Sequence, residues 1–492
     1  MLLTSSEPDH FQRFQRSLER PDLIDFLQDG LIGENAKVPG PGGPHPLVYA
    51  DYVASGRALR QVETFIMNEI LPFYANSHTE ASFCGQLMTR LRQQAREIVL
   101  KSFGGDENYD VIFTGSGATA GINRLVKLLD VPSSEQSERD TQARKTVVLV
   151  GPYEHHSNIL PWRETGATVI EIPEAIDGGP DIDALKNILK SKAGHRVIGA
   201  FSAMSNVTGI VTDVTAVTRV LKAHGAISIW DYAGGAPYLP IDVAGEKDAE
   251  IDAVVVSPHK FIGGPGASGI LMLRRQSVVA KKPSSPGGGT VSFVSPWAHN
   301  YSSIIVAREE AGTPNVVGDL RAALCIMIKD AIGLPYMTAR LEKLAKRAEA
   351  VWRKNSNLHL LGNFRARRMP VFSFKVTDAN GEIIHQQLVT RMLSDFYGVQ
   401  ARGGCACAGP YAHHLLKIDH AQSEAIRAAV LSGQEIEKPG WTRVGFSVLM
   451  SDEKVGHIIR AVDSVARATR AQRAQYQADE STARFSLGLS YV

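Results

Sequence analysis

The chain has 492 residues, 44% hydrophobic and 21% charged, a balance typical of a globular protein long enough for two domains. Its 53 lysines and arginines against 51 aspartates and glutamates give a formal net charge of +2, which predicts no strong attraction to nucleic acid or anionic membranes. No apolar run reaches the roughly 18–20 residues of a membrane span, and the first residues lack a signal-peptide core. We therefore expect a soluble, cytoplasmic protein without nucleic-acid or membrane partners.

The N-terminal part of the chain predicts an arm rather than a domain. Residues 1–50 are expected to form a helical arm that packs with a smaller domain and ends in the Pro/Gly-rich turn VPGPGGPHP. The stretch LVYADYVASGR follows as a short strand that runs into a loop. In residues 85–103, GQLMTRLRQQAREIVLKSF, apolar residues recur at helical spacing, which predicts one amphipathic helix.

Residues 51–325 are predicted to form a large α/β domain. Short apolar runs alternate there with helical segments such as 120–129 and 215–225, and this alternation indicates a mostly parallel sheet covered on both faces. The predicted strands are 111–114, 146–150, 168–172, 196–202, 226–231, 253–257 and 269–273. A polar insert at 133–145 and a flexible Pro/Gly-rich loop at 281–290 interrupt the pattern.

The pattern changes after residue 325 and predicts a smaller α+β domain over residues 326–492. A long helix is expected over roughly 336–353, and a last helix begins near Asp452. Between them, 371–376, 398–402 and 442–450 are predicted as strands.

Two glycine-rich stretches resemble a dinucleotide fingerprint. GPGASG, residues 264–269, precedes a strand, which is the wrong context, whereas GSGATA, residues 115–120, lies between a strand and a helix. Backbone N–H groups at such a helix start bind phosphate. NAD stays open as the phosphate carrier, although the acidic residue it needs about 20 residues later would fall in the polar insert.

Pyridoxal 5′-phosphate (PLP) is the other phosphate carrier that these residues favour. It needs a lysine for a covalent Schiff base and an acid for its ring nitrogen. Asp231 ends the predicted strand AISIWD, and Lys260 follows the next one in SPHK. Both positions are at strand C-terminal ends, where open α/β sheets bind ligands. Taken alone, Asp231 would be interpreted as a strand-end cap and Lys260 as a loop lysine. Together with the glycine loop, they form a consistent PLP site.

At these residues the chain resembles the class V aminotransferase-fold PLP enzymes, in the branch of cysteine desulfurases and selenocysteine lyases. The resemblance runs from VYADYVASG to GFSVLMSDEKV and implies the PLP-dependent transferase fold type I, with a seven-stranded type of sheet. It also implies that Ser257-Pro258-His259-Lys260 carries the Schiff-base lysine and that Asp231 binds the pyridinium. By the same resemblance, His155 in GPYEHHSNILPW stacks on the cofactor and is catalytic.

The resemblance also assigns the remaining cofactor and substrate contacts. Those expected at the phosphate are Gly117, Ala118, Thr119, Ser257, His259 and, in EEAGTPN, Thr313. Because the family threonine reaches the phosphate of the partner subunit, Thr313 implies a homodimer. Asn206 would lie beside the ring oxygen and the substrate carboxylate, and Arg443 would grip that carboxylate with its fork-shaped guanidinium. Gly234, in DYAGG, departs from the family pattern, which has Gln or His at the ring oxygen.

Four cysteines are too few for a disulfide framework in a chain of this length, but two of them lie close together in RGGCAC. This stretch matches the family motif Arg-x-Gly-x-x-Cys, with Arg402 in register at the substrate site and Cys407 as the persulfide cysteine. Three alternatives remain for Cys405 and Cys407: small buried apolar residues, a strained redox disulfide, or a metal site with the histidines of AHH. The spacing of these two cysteines and two histidines is not a standard zinc pattern, so no metal is expected.

The expected chemistry is removal of sulfur from L-cysteine. Lys260 would carry the α-proton, the cofactor ring held by Asp231 would accept electrons, and Cys407 would attack the substrate sulfur. Alanine and an enzyme persulfide would form, and the sulfur could pass to an acceptor protein. The alternatives are a class V aminotransferase, another PLP-dependent C–S lyase or epimerase acting on a different amino acid, and a non-catalytic scaffold.

Overall fold

The computed structural model describes residues 9–77, 80–133, 135, 145–468 and 470–488. The first described segment contains two helices, α1 (His10–Leu18) and α2 (Leu23–Asp29). They precede three two-residue strands, β1 (Lys37–Val38), β2 (His45–Pro46) and β3 (Val48–Tyr49). Asp9 caps α1 because its side chain accepts the Gln12 N–H.

A seven-stranded sheet organises the large domain, with strand order β4-β10-β9-β8-β7-β5-β6. Only β10 runs antiparallel to its neighbours, so the sheet is mostly parallel, as predicted. The strands are β4 (Tyr109–Thr114), β5 (Thr146–Val150), β6 (Thr168–Glu171), β7 (Arg196–Ser202), β8 (Ile227–Asp231), β9 (Ala253–Val256) and β10 (Gly269–Arg274).

Helices cover both faces of this sheet because successive strand residues point to opposite sides. In β5, for example, Val147 and Leu149 belong to one buried cluster, whereas Val148 and Val150 belong to another. The helices of this domain are α3 (Arg60–Phe65), α4 (Phe83–Ser102), α5 (Gly117–Leu128), α6 (Leu160–Arg163), α7 (Ile182–Ser191), α8 (Val214–Ala223), α9 (Ile305–Glu309) and α10 (Val316–Ile332). A hairpin of β11 (Val291–Val294) and β12 (His299–Tyr301) stands apart from the main sheet.

The smaller domain is a second sheet of order β13-β14-β18-β17, with β15 paired to β14. Its strands are β13 (Leu358–Leu360), β14 (Val371–Thr377), β15 (Ile383–Ile384), β16 (Val399–Gln400), β17 (Arg402–Gly404) and β18 (Trp441–Gly445). Its helices are α11 (Leu334–Trp352), α12 (Gln386–Tyr397), α13 (Gly409–Leu416), α14 (His420–Leu431), α15 (Asp452–Ala466) and α16 (Arg470–Arg473). A last hairpin, β19 (Tyr476–Asp479) and β20 (Arg484–Leu487), packs on α12.

The N-terminal arm contacts the large domain as well as the small domain, with which we expected it to pack. Phe11, Phe14 and Leu18 of α1 are buried in the core of the large domain, because they form the apolar stripe of an otherwise polar helix. The short β3, by contrast, pairs in parallel with β16 of the small domain. The domain boundaries at 50 and 325 stay predictions.

Two predicted strands of the small domain are shorter than expected. The segment 398–402 divides into β16 and β17 on either side of Ala401, and these strands pair with different partners. The segment 442–450 is a strand only as far as Gly445. Most of the polar insert 133–145 lies outside the described residues.

Within the described ranges, no single helix is long and apolar enough to cross a membrane. The pair α10 and α11 passes that test together by length and composition, with a bend of 78° between its members. Most residues of α10 are buried in the protein.

Candidate active site

A cavity of about 210 Å³ lies at the C-terminal ends of the parallel strands, where the small domain meets the large sheet. It brings together most of the predicted site residues. Those that line it are Ala118, Thr119, His155, Asn206, Asp231, Ser257, His259, Lys260, Arg402, Cys407 and Arg443. Open parallel sheets bind ligands at this edge.

Lys260 projects into this cavity from a short 3₁₀ turn (Pro258–Lys260) that follows β9. Burial is the largest cause that lowers the pKa of its amine to about 8, and Asp231 opposes the change. Arg443 and Arg402 lower this pKa further. A lysine with such a pKa has a substantial neutral fraction near neutral pH, as a proton acceptor or nucleophile requires.

Asp231, the last residue of β8, is buried at the bottom of the cavity. One of its oxygens accepts the Ala233 N–H at 2.7 Å. Burial raises the pKa of its carboxyl, while this hydrogen bond and Lys260 oppose the rise. Burial takes away the water that would stabilise the carboxylate, and a cationic N–H group in the cavity would stabilise it instead.

A cradle of backbone N–H groups and hydroxyls lies at the start of α5. Gly117 has φ +58°, and a Cβ at this position would lie 2.7 Å from the Ser257 hydroxyl oxygen and 2.9 Å from His259 Cε1. The Ala118 N–H donates to the Ser257 hydroxyl at 2.9 Å, and the Thr119 hydroxyl lies 2.7 Å from that of Ser157. Backbone N–H groups and hydroxyls at a helix N-terminus suit an anion.

His155 presents a neutral ring to the cavity. Its Nδ1 accepts the Ser157 N–H at 3.1 Å, so the neutral imidazole carries its proton on Nε2. Burial, followed by the charge of Lys260, lowers the pKa of this ring to about 4. A neutral planar ring can stack on an aromatic cofactor without adding charge.

Arg443 and Arg402 meet at Asp51, which we did not predict as a site residue. Arg443 donates to one Asp51 oxygen at 2.6 Å, and Arg402 Nε donates to the other at 2.8 Å. Arg443 also donates to the Asn206 carbonyl at 2.8 Å. The only sequence signal for Asp51 is an acid after an apolar run in VYAD, which is too common to single out a site residue.

Polar atoms in this region remain available for a ligand. Among the described residues, the buried Arg443 Nε and Asn206 Oδ1 have no hydrogen-bond partner. Such groups are costly to bury unpaired. Both residues line the cavity with Lys260, which indicates a polar ligand that offers an acceptor oxygen, such as a carboxylate, to Nε and an N–H or O–H donor to Oδ1.

Cys407 is exposed and lines the cavity, whereas Cys405 is partly buried and does not. All four cysteines are free thiols. The two histidines of the alternative metal site do not line the cavity. His413 hydrogen-bonds to Ser423, and His414 stacks on Tyr411. No group of three or more potential metal ligands occurs among the described residues.

Two predicted site residues lie outside the cavity lining. Gly117 belongs to the phosphate cradle, where its lack of a side chain leaves room for Ser257 and His259. Thr313 is exposed, in the loop between α9 and α10. At position 234 a Cβ would have its nearest neighbour at 3.5 Å, the Met204 methyl group, so the glycine leaves space that a larger side chain could occupy.

The site combines a mostly parallel sheet covered on both faces, a buried aspartate at the end of β8, a lysine after β9 and a phosphate cradle at a helix start. These features are those of the PLP-dependent enzymes of fold type I. The model of the family described as aminotransferase class-V matches residues 48–456. The chain belongs to this family, whose enzymes use PLP.

Curated relatives are similar over most of their length. A probable cysteine desulfurase of Halalkalibacterium halodurans is 26% identical over 369 residues, which are 74% of this chain and 85% of that protein. One of Vibrio cholerae is 28% identical over 370 residues, with the same two coverages.

Solved structures share the fold. An apo structure of cysteine desulfurase from Thermococcus onnurineus has a TM-score of 0.69 at 23% identity, and it covers 85% of this chain and 94% of that one. The cysteine desulfurase CsdA from Escherichia coli has a TM-score of 0.65 at 22% identity, with coverages of 93% and 98%.

Proposed function

We propose that this protein is a PLP-dependent enzyme that removes sulfur from L-cysteine, giving alanine and a persulfide on Cys407. The observation that carries the proposal is that an exposed thiol lines the same cavity as the lysine, the buried aspartate and the paired arginines. The names of the curated relatives support the choice of substrate.

The residues present fit PLP. The cradle formed by Gly117, Ala118 and Ser257 suits the phosphate, Asp231 suits a protonated ring nitrogen, and Lys260 would hold the cofactor covalently as a Schiff base. When bound, the cofactor supplies an electron sink for the α-carbon of an amino acid. The carboxylate of Asp231 would stabilise a protonated ring nitrogen and thereby keep that sink effective.

Lys260 moves the α-proton. Its pKa of about 8 means that a substantial fraction of the amine is neutral at physiological pH, and general base catalysis is most efficient when the pKa is near the working pH. The neighbouring arginines help to maintain this pKa, because their charge disfavours a third cation.

Arg443 and Arg402 orient the substrate through its carboxylate. Asp51 occupies one side of both guanidiniums, and therefore fixes their planes and lowers the net charge of the subsite from two positive charges to one. This charge matches a single carboxylate. The substrate carboxylate would accept the unpaired Arg443 Nε–H, whereas the Asn206 amide oxygen would accept from a donor such as the substrate nitrogen.

Cys407 takes the sulfur. Its thiolate attacks the substrate sulfur, an S–S bond forms, and the C–S bond breaks with its electron pair remaining on the substrate carbon. Protonation of that carbon gives alanine. A second thiol can then reduce the persulfide, releasing sulfide, or an acceptor protein can take the sulfur, which we propose as the partner.

The test is production of alanine and sulfide from L-cysteine by the holoenzyme in the presence of a reducing thiol. We expect equal amounts of both products, loss of both in Cys407→Ala with the bound-cofactor spectrum retained, and activity in Cys405→Ala. Normal sulfur release by Cys407→Ala would contradict the persulfide role. A cofactor-bound wild type that releases no alanine would instead favour a class V aminotransferase, or another C–S lyase or epimerase.

We also propose a homodimer in which Thr313 reaches the phosphate cradle of the partner subunit. Thr313 is exposed and outside this chain's own cavity. Large apolar side chains are exposed on the nearby hairpin, with Trp297 90% and Val294 62% exposed, and a second copy would cover them. Light scattering should give twice the chain mass, and Thr313→Ala should weaken cofactor binding; a monomer with full affinity for PLP would contradict the proposal.

We further propose that the enzyme works in the cytoplasm, where reducing conditions keep thiols such as Cys407 free. Fractionation of the cells that make it would test this, and a membrane or secreted pool would contradict it.

A further inference from the structure

The loop that carries Cys407 is held in an unfavourable backbone conformation. Ala406 and Cys407 have φ of +53° and +57°, the left-handed region that residues with a Cβ rarely adopt. Consecutive residues of this kind persist only where surrounding contacts impose them, and they are concentrated at functional sites. The contacts that hold this loop are therefore of functional interest.

Three hydrogen bonds from the large domain hold the loop. The His156 N–H donates to the Cys407 carbonyl at 2.8 Å, and the Gly409 N–H donates to His156 Nε2 at 2.9 Å. The Asn206 amide donates to the Ala406 carbonyl at 2.8 Å. His156 thus binds the loop at the thiol-bearing residue and again two residues after it, whereas Asn206 binds it at the preceding residue.

His156 is well suited to this contact. Burial, followed by the charge of Arg163, lowers the pKa of its ring, so the imidazole is neutral and can accept the Gly409 N–H. A side chain at Gly409 would crowd this ring, because a Cβ there would lie 3.0 Å from His156 Nε2. The ring does not line the cavity, so it acts on the loop and not on the reacting atoms.

The turn that carries His156 is itself rigid. His156–Asn158 form one 3₁₀ turn after β5, and the Asn158 amide donates to Glu154 at 2.6 Å and to the Ala200 carbonyl of β7 at 3.2 Å. His155, the preceding residue, faces the cavity. One anchored turn therefore holds both the ring expected over the cofactor and the loop of the attacking thiol.

We propose that His156 is a positioning residue that fixes the Cys407 thiol over the active-site cavity. This role rests on the proposed function, in which Cys407 attacks the substrate sulfur. Loss of the ring contact would leave cofactor and substrate binding intact but would increase the range of positions that the thiol samples. Misplacement of a nucleophile slows the chemical step without weakening substrate binding.

The test compares His156→Leu and His156→Gln with wild type as holoenzymes. Gln can place an oxygen where Nε2 lies and accept the same N–H, whereas Leu cannot. In His156→Leu we expect amide exchange in the peptide around 405–410 to rise about tenfold, since one hydrogen bond contributes about this factor. We also expect kcat for alanine formation to fall about tenfold or more, with KM within twofold of wild type.

Matched variants separate this role from general stability. His156→Gln should restore both readouts to within about threefold of wild type. The control is His359→Leu, an exposed histidine of β13 whose Nε2 bonds to the Thr377 hydroxyl away from the site, and it should change neither readout. If His156→Leu does not fold, Gly409→Ala tests the same contact, because its Cβ would crowd His156 Nε2 at 3.0 Å and weaken the hydrogen bond.

Wild-type loop exchange in a folded His156→Leu would overturn the positioning role, whatever its activity. Faster exchange with an unchanged kcat would overturn it as well. If the wild type itself forms no alanine from cysteine, the proposed function fails, and the exchange comparison still decides whether His156 holds the loop.

Discussion

The two halves of the cavity are built in different ways. The cofactor half consists of residues that follow strands of one sheet: the start of α5 after β4, His155 after β5, Asp231 at the end of β8 and Lys260 after β9. The substrate half joins distant parts of the chain: Asp51 binds Arg402, 351 residues away, and Arg443, 392 residues away. The first half depends on strand order alone, whereas the second also depends on how the two domains meet.

The largest effect is expected from the cofactor half. Lys260→Ala removes the amine that would hold PLP and carry the α-proton, so we expect activity to fall by about 10⁴-fold or more and the absorbance of covalently held cofactor to disappear. Arg443 and its partners do not depend on this amine, so thermal stability should change little. Residual cysteine turnover within tenfold of wild type would rule out the proton-transfer role.

The same division explains what the sequence could predict. Strand ends are visible in an apolar run that stops at a polar residue, so SIWD and SPHK were enough to place Asp231 and Lys260 at strand ends. The glycine loop at 115–120 was recognisable from its place between a strand and a helix. These signals are local, and the parallel sheet converts them into proximity.

Asp51 had no comparable signal. Its importance arises from pairing with Arg402 and Arg443 across the domain boundary, and single-sequence reasoning cannot see such a pair. The same reason applies to His156, whose partner Gly409 is 253 residues away. The contact of α1 with the large domain had no local signal either, because an amphipathic helix shows that it must bury a face, but not which domain receives that face.

The next largest effect should come from the substrate half. Arg443 is buried and donates to both Asp51 and the Asn206 carbonyl, so Arg443→Lys replaces a planar fork by a point charge that cannot keep both bonds. We expect KM for L-cysteine to rise roughly 30- to 100-fold, in line with the value of a charge-assisted hydrogen bond. Cofactor binding should be unchanged.

Arg402→Lys is the matched control for that variant. The Arg402 side chain is 44% exposed, against 3% for Arg443, so water can replace more of its contacts and the rise in KM should be smaller. Equal effects at the two positions would show that burial does not distinguish the two arginines.

A moderate effect on PLP affinity is expected from a substitution in the glycine motif 115–120, but not from one in the motif 264–269. Gly117→Ala would place a Cβ 2.7 Å from the Ser257 hydroxyl, so we expect affinity for PLP to fall about tenfold, together with a loss of stability of about 1 kcal/mol from the positive φ. Gly266→Ala is the control, because it has φ +87° but its Cβ would meet nothing nearer than Arg321 Nε at 3.7 Å. It should lose similar stability and retain cofactor affinity, as measured by equilibrium titration of the apoprotein with PLP.

The smallest predicted effect tests whether the two halves are coupled electrostatically. The negative charge of Asp51 raises the pKa of Lys260, whereas Arg443 and Arg402 lower it. Asp51→Asn removes a charge that stabilises the ammonium form, so the pKa of Lys260 should fall below its value of about 8.

Because Lys260 must be neutral to accept the α-proton, activity is lost as pH falls through this pKa. The amine of Lys260 is free only once substrate has replaced it on the cofactor, so the acidic limb of kcat, which reports groups in the substrate complex, should move to lower pH by roughly half a pH unit. Asp231 raises the pKa of Lys260 more than Asp51 does, so a larger shift from Asp51→Asn would mean that the arginines had also moved. An unmoved limb would show that the substrate half positions the amino acid without tuning the base that acts on it.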